Sequence, residues 1–177
     1  ASRQWLDDLE RTALSKSFKL VVLEVLLDSS ALRTGMPVRE LAKRSHSMIV
    51  RSPELFRDIE GVKDLGNPRE IDERTWLAYW KANPIAAWTG KGRGGRAWFR
   101  LEGEQFVPAL PVPEGDDETF AAMTRELVDY RLAQYRARGS ADATGEGFEC
   151  KVLSNQRDPI LKLPSCAARP DLPTGET

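Results

Sequence analysis

The chain has 177 residues, of which 41% are apolar and 30% are charged, and its formal net charge is −1. This length suffices for a domain with a hydrophobic core, and the composition is typical of a soluble globular protein. The near-neutral charge excludes a generally polycationic protein. No apolar run approaches the roughly 20 residues of a membrane-spanning helix, so we expect no contact with a membrane.

The first third of the chain is predicted to be helical. Residues 3–14 have the apolar spacing of a short amphipathic helix. Residues 17–28 are apolar almost all round, which favours a helix buried at the centre of a helical domain, with a buried strand as the competing interpretation. A helix with proline in its first turn is predicted over residues 37–45, and a short third helix begins near Ser52-Pro53.

The middle third is predicted to contain one helix and one hairpin. Residues 73–81 form the helix, and we expect Asn83-Pro84 to end it, because proline disfavours α geometry in the residue before it. Residues 97–101 and 105–108 are predicted to be two strands joined by a tight turn.

A long helix over residues 118–138 is the strongest helical prediction, and Gly139 is its expected end. Its apolar stripe is expected to face the core. The stripe comprises Phe120, Met123, Leu127 and Tyr130, widened by Ala121, Val128, Leu132 and Tyr135.

We therefore expect an α+β, mainly helical chain. A winged-helix-like domain with a β-hairpin and the long helix would occupy residues 1–138. A small polar linker would follow at 139–147, and a C-terminal hairpin and tail at 148–177.

Residues for catalysis or metal binding are hard to assemble. His46 is the single histidine and has no evident nucleophile or carboxylate partner. Cys150 and Cys166 lie at no metal-binding spacing, and we expect two free thiols in a reduced, cytoplasmic protein, with a single disulfide left open. We therefore predict a non-catalytic domain with no metal and no cofactor.

The segment 76–100 concentrates positive charge and aromatic rings. It contains five basic residues and no acid, together with four of the five tryptophans and a glycine-rich tip at residues 90–95. The basic residues are Lys81, Lys91, Arg93, Arg96 and Arg100, and the tryptophans are Trp76, Trp80, Trp88 and Trp98. Cations attract phosphates and indole rings stack on bases, so nucleic acid is the first partner to consider. The alternative is a buried tryptophan cluster beneath a solvated tip.

Two other groups of cations point to the same partner. Lys16 and Lys19 precede or begin the buried helix, where the helix dipole disfavours cations unless an anion is also present. The helix at 37–45 and the residues after it supply a second group: Arg39, Lys43, Arg44 and Arg51. In winged-helix modules one helix enters the major groove while the hairpin touches the DNA backbone.

Several strings of the sequence resemble the C-terminal accessory region of large bacterial superfamily II DEAD/DEAH-box helicase-like proteins. The most specific string is Asn83-Pro84-Ile85-Ala86-Ala87-Trp88-Thr89-Gly90. The others are Ser15-Lys16-Ser17-Phe18-Lys19, Gly95-Arg96-Ala97-Trp98-Phe99, Phe106-Val107-Pro108, Arg125-Glu126-Leu127-Val128-Asp129-Tyr130-Arg131-Leu132, Cys150-Lys151-Val152 and Pro159-Ile160-Leu161. Such proteins are linked to restriction and phage defence, so the resemblance implies a DNA-engaging accessory domain of a larger polypeptide. The chain begins without an initiator methionine, so we expect it to be a piece of a larger protein. None of the ATP-binding or helicase motifs of the motor is present, so ATPase activity does not carry over.

A more distant resemblance is to the sulfur-binding domains that read phosphorothioate DNA in modification-dependent restriction endonucleases. The similar stretches are residues 16–28 and 83–88 followed by 97–107. A sulfur atom is larger and more weakly hydrated than a phosphate oxygen, so an apolar pocket edged by cations would prefer it. Pro84, Ile85, Ala87 and Trp88 would form that pocket, although those domains have an aromatic residue where Ile85 stands.

The sequence thus predicts an accessory or recognition domain that binds double-stranded DNA within a helicase-nuclease type restriction or phage-defence protein. A DNA modification, such as a backbone phosphorothioate, would be one feature that this domain recognises. The expected DNA-binding residues are Lys16, Ser17, Lys19, Asn83, Pro84, Trp88, Lys91, Arg93 and Arg96. The alternative is a structural module that docks the motor to a nuclease, with the tryptophans as core and the 118–138 helix as interface.

Overall fold

A computed structural model describes residues 2–91, 96–109 and 117–144, with side chains as far as Arg138. These residues form seven α-helices, a π-helical segment, a short 3-10 turn and a small antiparallel sheet. The chain is therefore mainly helical with a minor β component, as the sequence predicted. The predicted C-terminal hairpin lies outside the described residues.

The first helix, α1, spans Ser2–Arg11, and the second, α2, spans Phe18–Asp28. Eight of the eleven residues of α2 are buried, and the helix packs against the third and seventh helices. The prediction of a central buried helix is confirmed. An apolar run of this length buries all sides only when other helices surround it.

The third helix, α3, spans Val38–Arg51 and is longer than expected. Pro37 lies outside it, since its ψ of 133° is extended, and together with Met36 it forms the short strand β1. This strand was not predicted. Two residues give no alternation to detect, although the residue before a proline favours extended geometry. The short helix α4, Pro53–Phe56, follows, and a 3-10 turn occupies Lys63–Leu65.

The fifth helix, α5, spans Glu73–Trp80 and does not end at Asn83-Pro84 as predicted. It continues as a π-helix over Lys81–Ile85 and then as α6 over Ala86–Trp88. Pro84 has no N–H to donate, but the side-chain amide of Asn83 donates to the Tyr79 carbonyl at 2.7 Å. In a π-helix that carbonyl would pair with residue 84, so the amide of Asn83 replaces the missing donor.

The sheet has the strand order β1-β3-β2, with β2 at Phe99–Glu102 and β3 at Gln105–Pro108. Both pairs are antiparallel, and Phe106 lies opposite Met36 on one side and Leu101 on the other. The predicted hairpin is therefore confirmed, with its turn at Gly103 and Glu104.

The seventh helix, α7, spans Asp117–Thr144 and passes through Gly139 instead of ending there. Glycine in a helix costs only about 1 kcal/mol relative to alanine, and Ala141 and Ala143 favour continuation. The buried face also differs from the predicted stripe. It comprises Phe120, Thr124, Val128 and Leu132, whereas Met123 and Tyr130 are exposed.

The core is built around aromatic side chains from distant parts of the chain. Trp5 of α1 is fully buried, and its ring centroid lies 5.5 Å from that of Trp88 and 5.5 Å from that of Trp98. Phe99 and Phe106 stack in parallel at 4.6 Å beside this group. Within the described ranges, no helix is both long and apolar enough to cross a bilayer.

Candidate nucleic-acid interface

The tryptophans of segment 76–100 belong to the hydrophobic core. Trp76, Trp80, Trp88 and Trp98 have exposed fractions of 2, 0, 4 and 6%. Indole rings that are buried to this extent cannot stack on bases without a rearrangement of the core. Of the two interpretations of this segment, the buried cluster is the one the structure contains.

Two backbone hydrogen bonds hold the base of the glycine-rich loop. The Trp98 N–H donates to the Trp88 carbonyl at 3.1 Å, and the Lys91 N–H donates to the Ala86 carbonyl at 2.9 Å. The loop is thereby anchored on the end of α6 and on the residue before β2. Arg93 and the rest of the tip, residues 92–95, lie outside the described residues.

Two cations lie over the rings of Trp88 and Trp98, and a third is exposed on the base of the loop that joins these two tryptophans. The Lys19 Nζ is 5.7 Å from the centroid of the Trp88 ring, and the Arg96 Cζ is 5.2 Å from that of Trp98. Lys91 is exposed on the anchored loop base. We refer to Lys19, Lys91 and Arg96 as the cation cluster.

The cation cluster lies near the Asp8 carboxylate, which accepts a hydrogen bond from the Trp98 Nε1 at 3.1 Å. Among the described residues, none of its three members forms an ion pair. The cation–π contacts restrain the Lys19 and Arg96 side chains and contribute about 0.5–1 kcal/mol each at exposed sites. The buried indoles thus position charge instead of contacting a partner themselves.

Other predicted cations of the segment are engaged with acids. The Lys81 ammonium contacts the Glu104 carboxylate at 3.0 Å, and Arg100 contacts Glu102 at 2.6 Å. Both acids flank the hairpin turn. The turn therefore carries paired charges and no net excess of positive charge.

The N-terminus of α2 already holds an anion supplied by the chain. The Asp58 carboxylate accepts hydrogen bonds from the Ser17 N–H at 2.7 Å and from the Ser17 hydroxyl at 2.5 Å, and Tyr135 donates its hydroxyl to the same carboxylate. Lys16 donates to the Asp58 carbonyl at 2.8 Å. Ser17 is fully buried, so the expected contact between Ser17 and DNA has no accessible surface. Sequence analysis missed Asp58, because nothing in its local pattern indicates a partner 41 residues away.

The predicted apolar pocket faces inward. Pro84, Ile85 and Trp88 are buried, and only Ala87 is half-exposed. The Trp88 Nε1 donates to the Lys19 carbonyl at 3.2 Å, which fixes α6 against the first turn of α2. Asn83 is exposed, but its amide is used by the Tyr79 carbonyl. The structure thus brings the two predicted stretches together, with the apolar residues facing the core and the cations facing outward.

No metal-binding group of three or more His, Cys, Asp or Glu side chains occurs in the described part of the chain. His46 is half-buried, where its Nε2 lies 2.7 Å from the Pro68 carbonyl and its ring lies 4.9 Å from that of Trp76. Comparisons with protein-family models, with curated proteins and with solved structures found no match.

Proposed function

We propose that this chain is a non-catalytic domain that binds double-stranded DNA through phosphate contacts made by the cation cluster. The observation that carries the proposal is the position of Lys19 over Trp88 and of Arg96 over Trp98, with Lys91 exposed on the loop base between them and no ion pair to any of the three among the described residues. Cations that are not paired with acids in the described residues are available to DNA phosphates. Each such contact releases counterions from the DNA, which favours binding. The resemblance to helicase-like restriction and defence proteins supports the same proposal, with the domain positioning the larger polypeptide on its target.

We further propose that the fold is winged-helix-like. The support is the strand order β1-β3-β2, with β1 inserted between α2 and α3 and the hairpin following the helical segment from α5 to α6. Glu102 and Glu104 at the hairpin turn are paired with Arg100 and Lys81, so the turn offers a phosphate no excess of positive charge. DNA would therefore approach the cation cluster and not the hairpin turn.

We do not extend the proposal to the recognition of a phosphorothioate, which a comparison of plain and phosphorothioate duplexes tests. A sulfur-selective pocket needs an apolar wall open to the ligand, and the burial of Pro84, Ile85 and Trp88 leaves Ala87 as the accessible part of that wall. Contact with ordinary phosphates requires no such wall. We therefore expect plain and phosphorothioate duplexes to bind with similar affinity.

The decisive experiment measures the affinity for a short DNA duplex as a function of salt concentration, for the wild type and two charge-matched variants. Lys91→Ala/Arg96→Ala should weaken binding and reduce the slope of log K against log salt by about 1.8, since each phosphate contact contributes about 0.9. The control is Arg11→Ala/Lys63→Ala, which removes the same charge from exposed positions elsewhere. Equal effects of the two variants would reject the cation cluster as the interface.

One observation favours the docking alternative. Met123 and Tyr130 are 47% and 58% exposed on the outer side of α7, whose buried side faces α1 and α2. Large exposed apolar side chains on one helix are typical of helix-in-groove contacts. Under this alternative, the chain would bind DNA no more tightly than an unrelated neutral protein. Met123→Ser/Tyr130→Ser would then release it from the motor or nuclease region without changing its own stability.

A further inference from the structure

A second basic surface lies in a groove between α2 and α3, away from the cation cluster. Its volume is about 520 Å³, within the range of small-molecule sites. Val25 and Met48 line its apolar part, whereas Lys43, Arg44 and Arg51 line its charged part. We refer to it as the α2–α3 groove.

The helical spacing of α3 aligns the polar side chains of this groove. Lys43, Ser47 and Arg51 are four residues apart, so they lie on one face at intervals of about 6 Å along the helix. All three are exposed. A ligand lying along α3 would therefore meet an ammonium and a guanidinium, with the Ser47 hydroxyl between them donating to the Lys43 carbonyl at 3.2 Å.

The acids that line the groove are held by arginines. Glu40 accepts from the Arg44 Nε at 2.6 Å, and this hydrogen bond lowers the pKa of the Glu40 carboxyl, with a further contribution from Lys43. Asp28 accepts from Arg125 at 3.0 Å. Arg51 forms no ion pair within the described ranges. The unneutralised charge of the groove is therefore positive.

Arg44 is also fixed in place for a ligand. Its Nη1 donates to the Ser29 hydroxyl at 3.0 Å, in addition to the contact with Glu40. These bonds use two of the five guanidinium N–H donors and leave the others available. A restrained guanidinium with two further exposed cations along the same helix offers the oxygens of a phosphate-bearing ligand several charge-assisted hydrogen bonds.

We propose that the α2–α3 groove binds a phosphate-bearing ligand through Lys43, Arg44 and Arg51. The phosphate belongs either to a nucleic-acid backbone or to a small phosphate compound of up to nucleotide size, for which the half-buried Met48 provides apolar contact. This site does not depend on the cation cluster, because the two surfaces share no residue.

The test titrates the chain with inorganic pyrophosphate, with adenosine monophosphate and with a short DNA duplex. Lys43→Ala/Arg51→Ala should weaken binding of at least one probe by about tenfold or more, since each charge-assisted contact contributes about 1.5 kcal/mol or more. Arg11→Ala/Lys63→Ala is the charge-matched control and should change no affinity beyond the effect of net charge. Lys91→Ala/Arg96→Ala should leave binding of the two small probes unchanged, which separates this site from the proposed DNA interface.

The probes distinguish the two sources of phosphate. A nucleic-acid backbone is indicated when Lys43→Ala/Arg51→Ala binds the duplex more weakly than the wild type does and with a smaller dependence of affinity on salt. A small ligand is indicated when pyrophosphate or the nucleotide loses affinity and the duplex does not. The proposal is overturned if the groove variant and the charge-matched control give equal affinities for all three probes. A lower melting temperature with unchanged affinities would also overturn it, because the cations would then contribute only to the stability of the fold.

Discussion

The carboxylate of Asp58 and the backbone N–H of Ser17 lie 2.7 Å apart at the first turn of α2, so a side chain from beyond α4 provides the negative charge at this helix N-terminus. The same carboxylate accepts from the Ser17 and Tyr135 hydroxyls. It therefore connects α2 and α7 through one buried group. A helix N-terminus with an internal anion has no need of a phosphate.

Replacement of Asp58 by alanine should destabilise the chain strongly. It leaves the buried Ser17 N–H and the two hydroxyls without their acceptor, and each unsatisfied donor costs about 1–3 kcal/mol. We expect a loss of about 3 kcal/mol or more in the free energy of unfolding, measured by urea denaturation. Asp64→Ala, at an exposed acid in the 3-10 turn, is the control and should change stability by less than about 0.5 kcal/mol. Similar losses in the two variants would refute the role assigned to Asp58.

The raised pKa of the Glu24 carboxyl should make the free energy of unfolding depend on pH in an unusual direction. Burial raises the pKa of its carboxyl above the ordinary 4.5, and the neighbouring carboxylates of Asp28 and Asp129 raise it further. Arg125, at 3.8 Å, and Arg136 oppose the shift only in part, and no hydrogen-bond donor among the described residues reaches the buried Glu24 Oε2. Between pH 4.5 and the higher pKa of the folded state, the folded chain holds the proton more tightly than the unfolded chain. The contribution of Glu24 to stability is therefore lost as the pH rises through this window.

The variant Glu24→Gln removes that contribution. Relative to the wild type, it should gain stability as the pH rises from about 4.5 towards neutrality, because the glutamine has no charge to desolvate. Denaturant unfolding at a series of pH values gives the difference curve, in which the titrations of the other acids cancel. Glu60→Gln, at an exposed position, should give a flat curve. A flat curve for Glu24→Gln would show that Arg125 compensates the burial fully.

Gly35 is required by a close approach between the segment before β1 and strand β3. Its φ is +73°, and a Cβ atom would lie 2.2 Å from the Phe106 carbonyl oxygen. Gly61 has a similar φ of +75° but no atom within 4 Å of its Cβ position. Alanine substitutions at Gly35 and Gly61 therefore separate the energetic cost of the left-handed backbone from that of the steric clash.

Gly61→Ala should cost about 1–2 kcal/mol, which is the price of a left-handed conformation for a residue with a Cβ. Gly35→Ala should cost more than Gly61→Ala, because backbone atoms of β3 must also move away from β1. Chemical denaturation of both variants measures the difference. Equal losses would mean that the sheet accommodates the added atom, and that the approach to Phe106 is not a constraint on the fold.

Local patterns predicted most of the helices and the hairpin, because those elements have enough residues to show a period. α2 was predicted from its uniform apolar sequence, and β2 and β3 from two aromatic-containing stretches on either side of the turn at Gly103. Pairings between distant residues were not predictable. Trp5 lies about 80 residues before Trp88, and no property of either residue shows that they pack together.

The same limit explains the candidate site. Composition indicated correctly that segment 76–100 is rich in cations and indoles, but whether an indole faces a partner or the core depends on what covers it. α1 covers Trp88 and Trp98 through Trp5. The cations Lys19 and Arg96 remained outside because their charges require solvent. Cations of this segment were therefore predictable from the sequence, whereas the burial of the indole rings of Trp88 and Trp98 was not.

For Asn83, a role in the stability of the π-helical segment can be tested separately from a role in DNA binding. Its amide donates to the Tyr79 carbonyl in place of the N–H that Pro84 lacks. Asn83→Ala removes that donor and should lower the free energy of unfolding by about 0.5–1.5 kcal/mol, which is the net value of a typical hydrogen bond. The affinity for DNA should not change, because the proposed interface uses the cation cluster.

The double variant Asn83→Ala/Pro84→Ala tests the mechanism. It restores a backbone N–H at position 84, so its loss of stability should be smaller than the sum of the losses of the two single variants. Strict additivity would show that the Asn83 amide does not substitute for the missing donor. If Asn83→Ala instead binds DNA more weakly at unchanged stability, Asn83 contacts DNA as the sequence predicted. The π-helical segment would then extend the contact surface beyond the three cations.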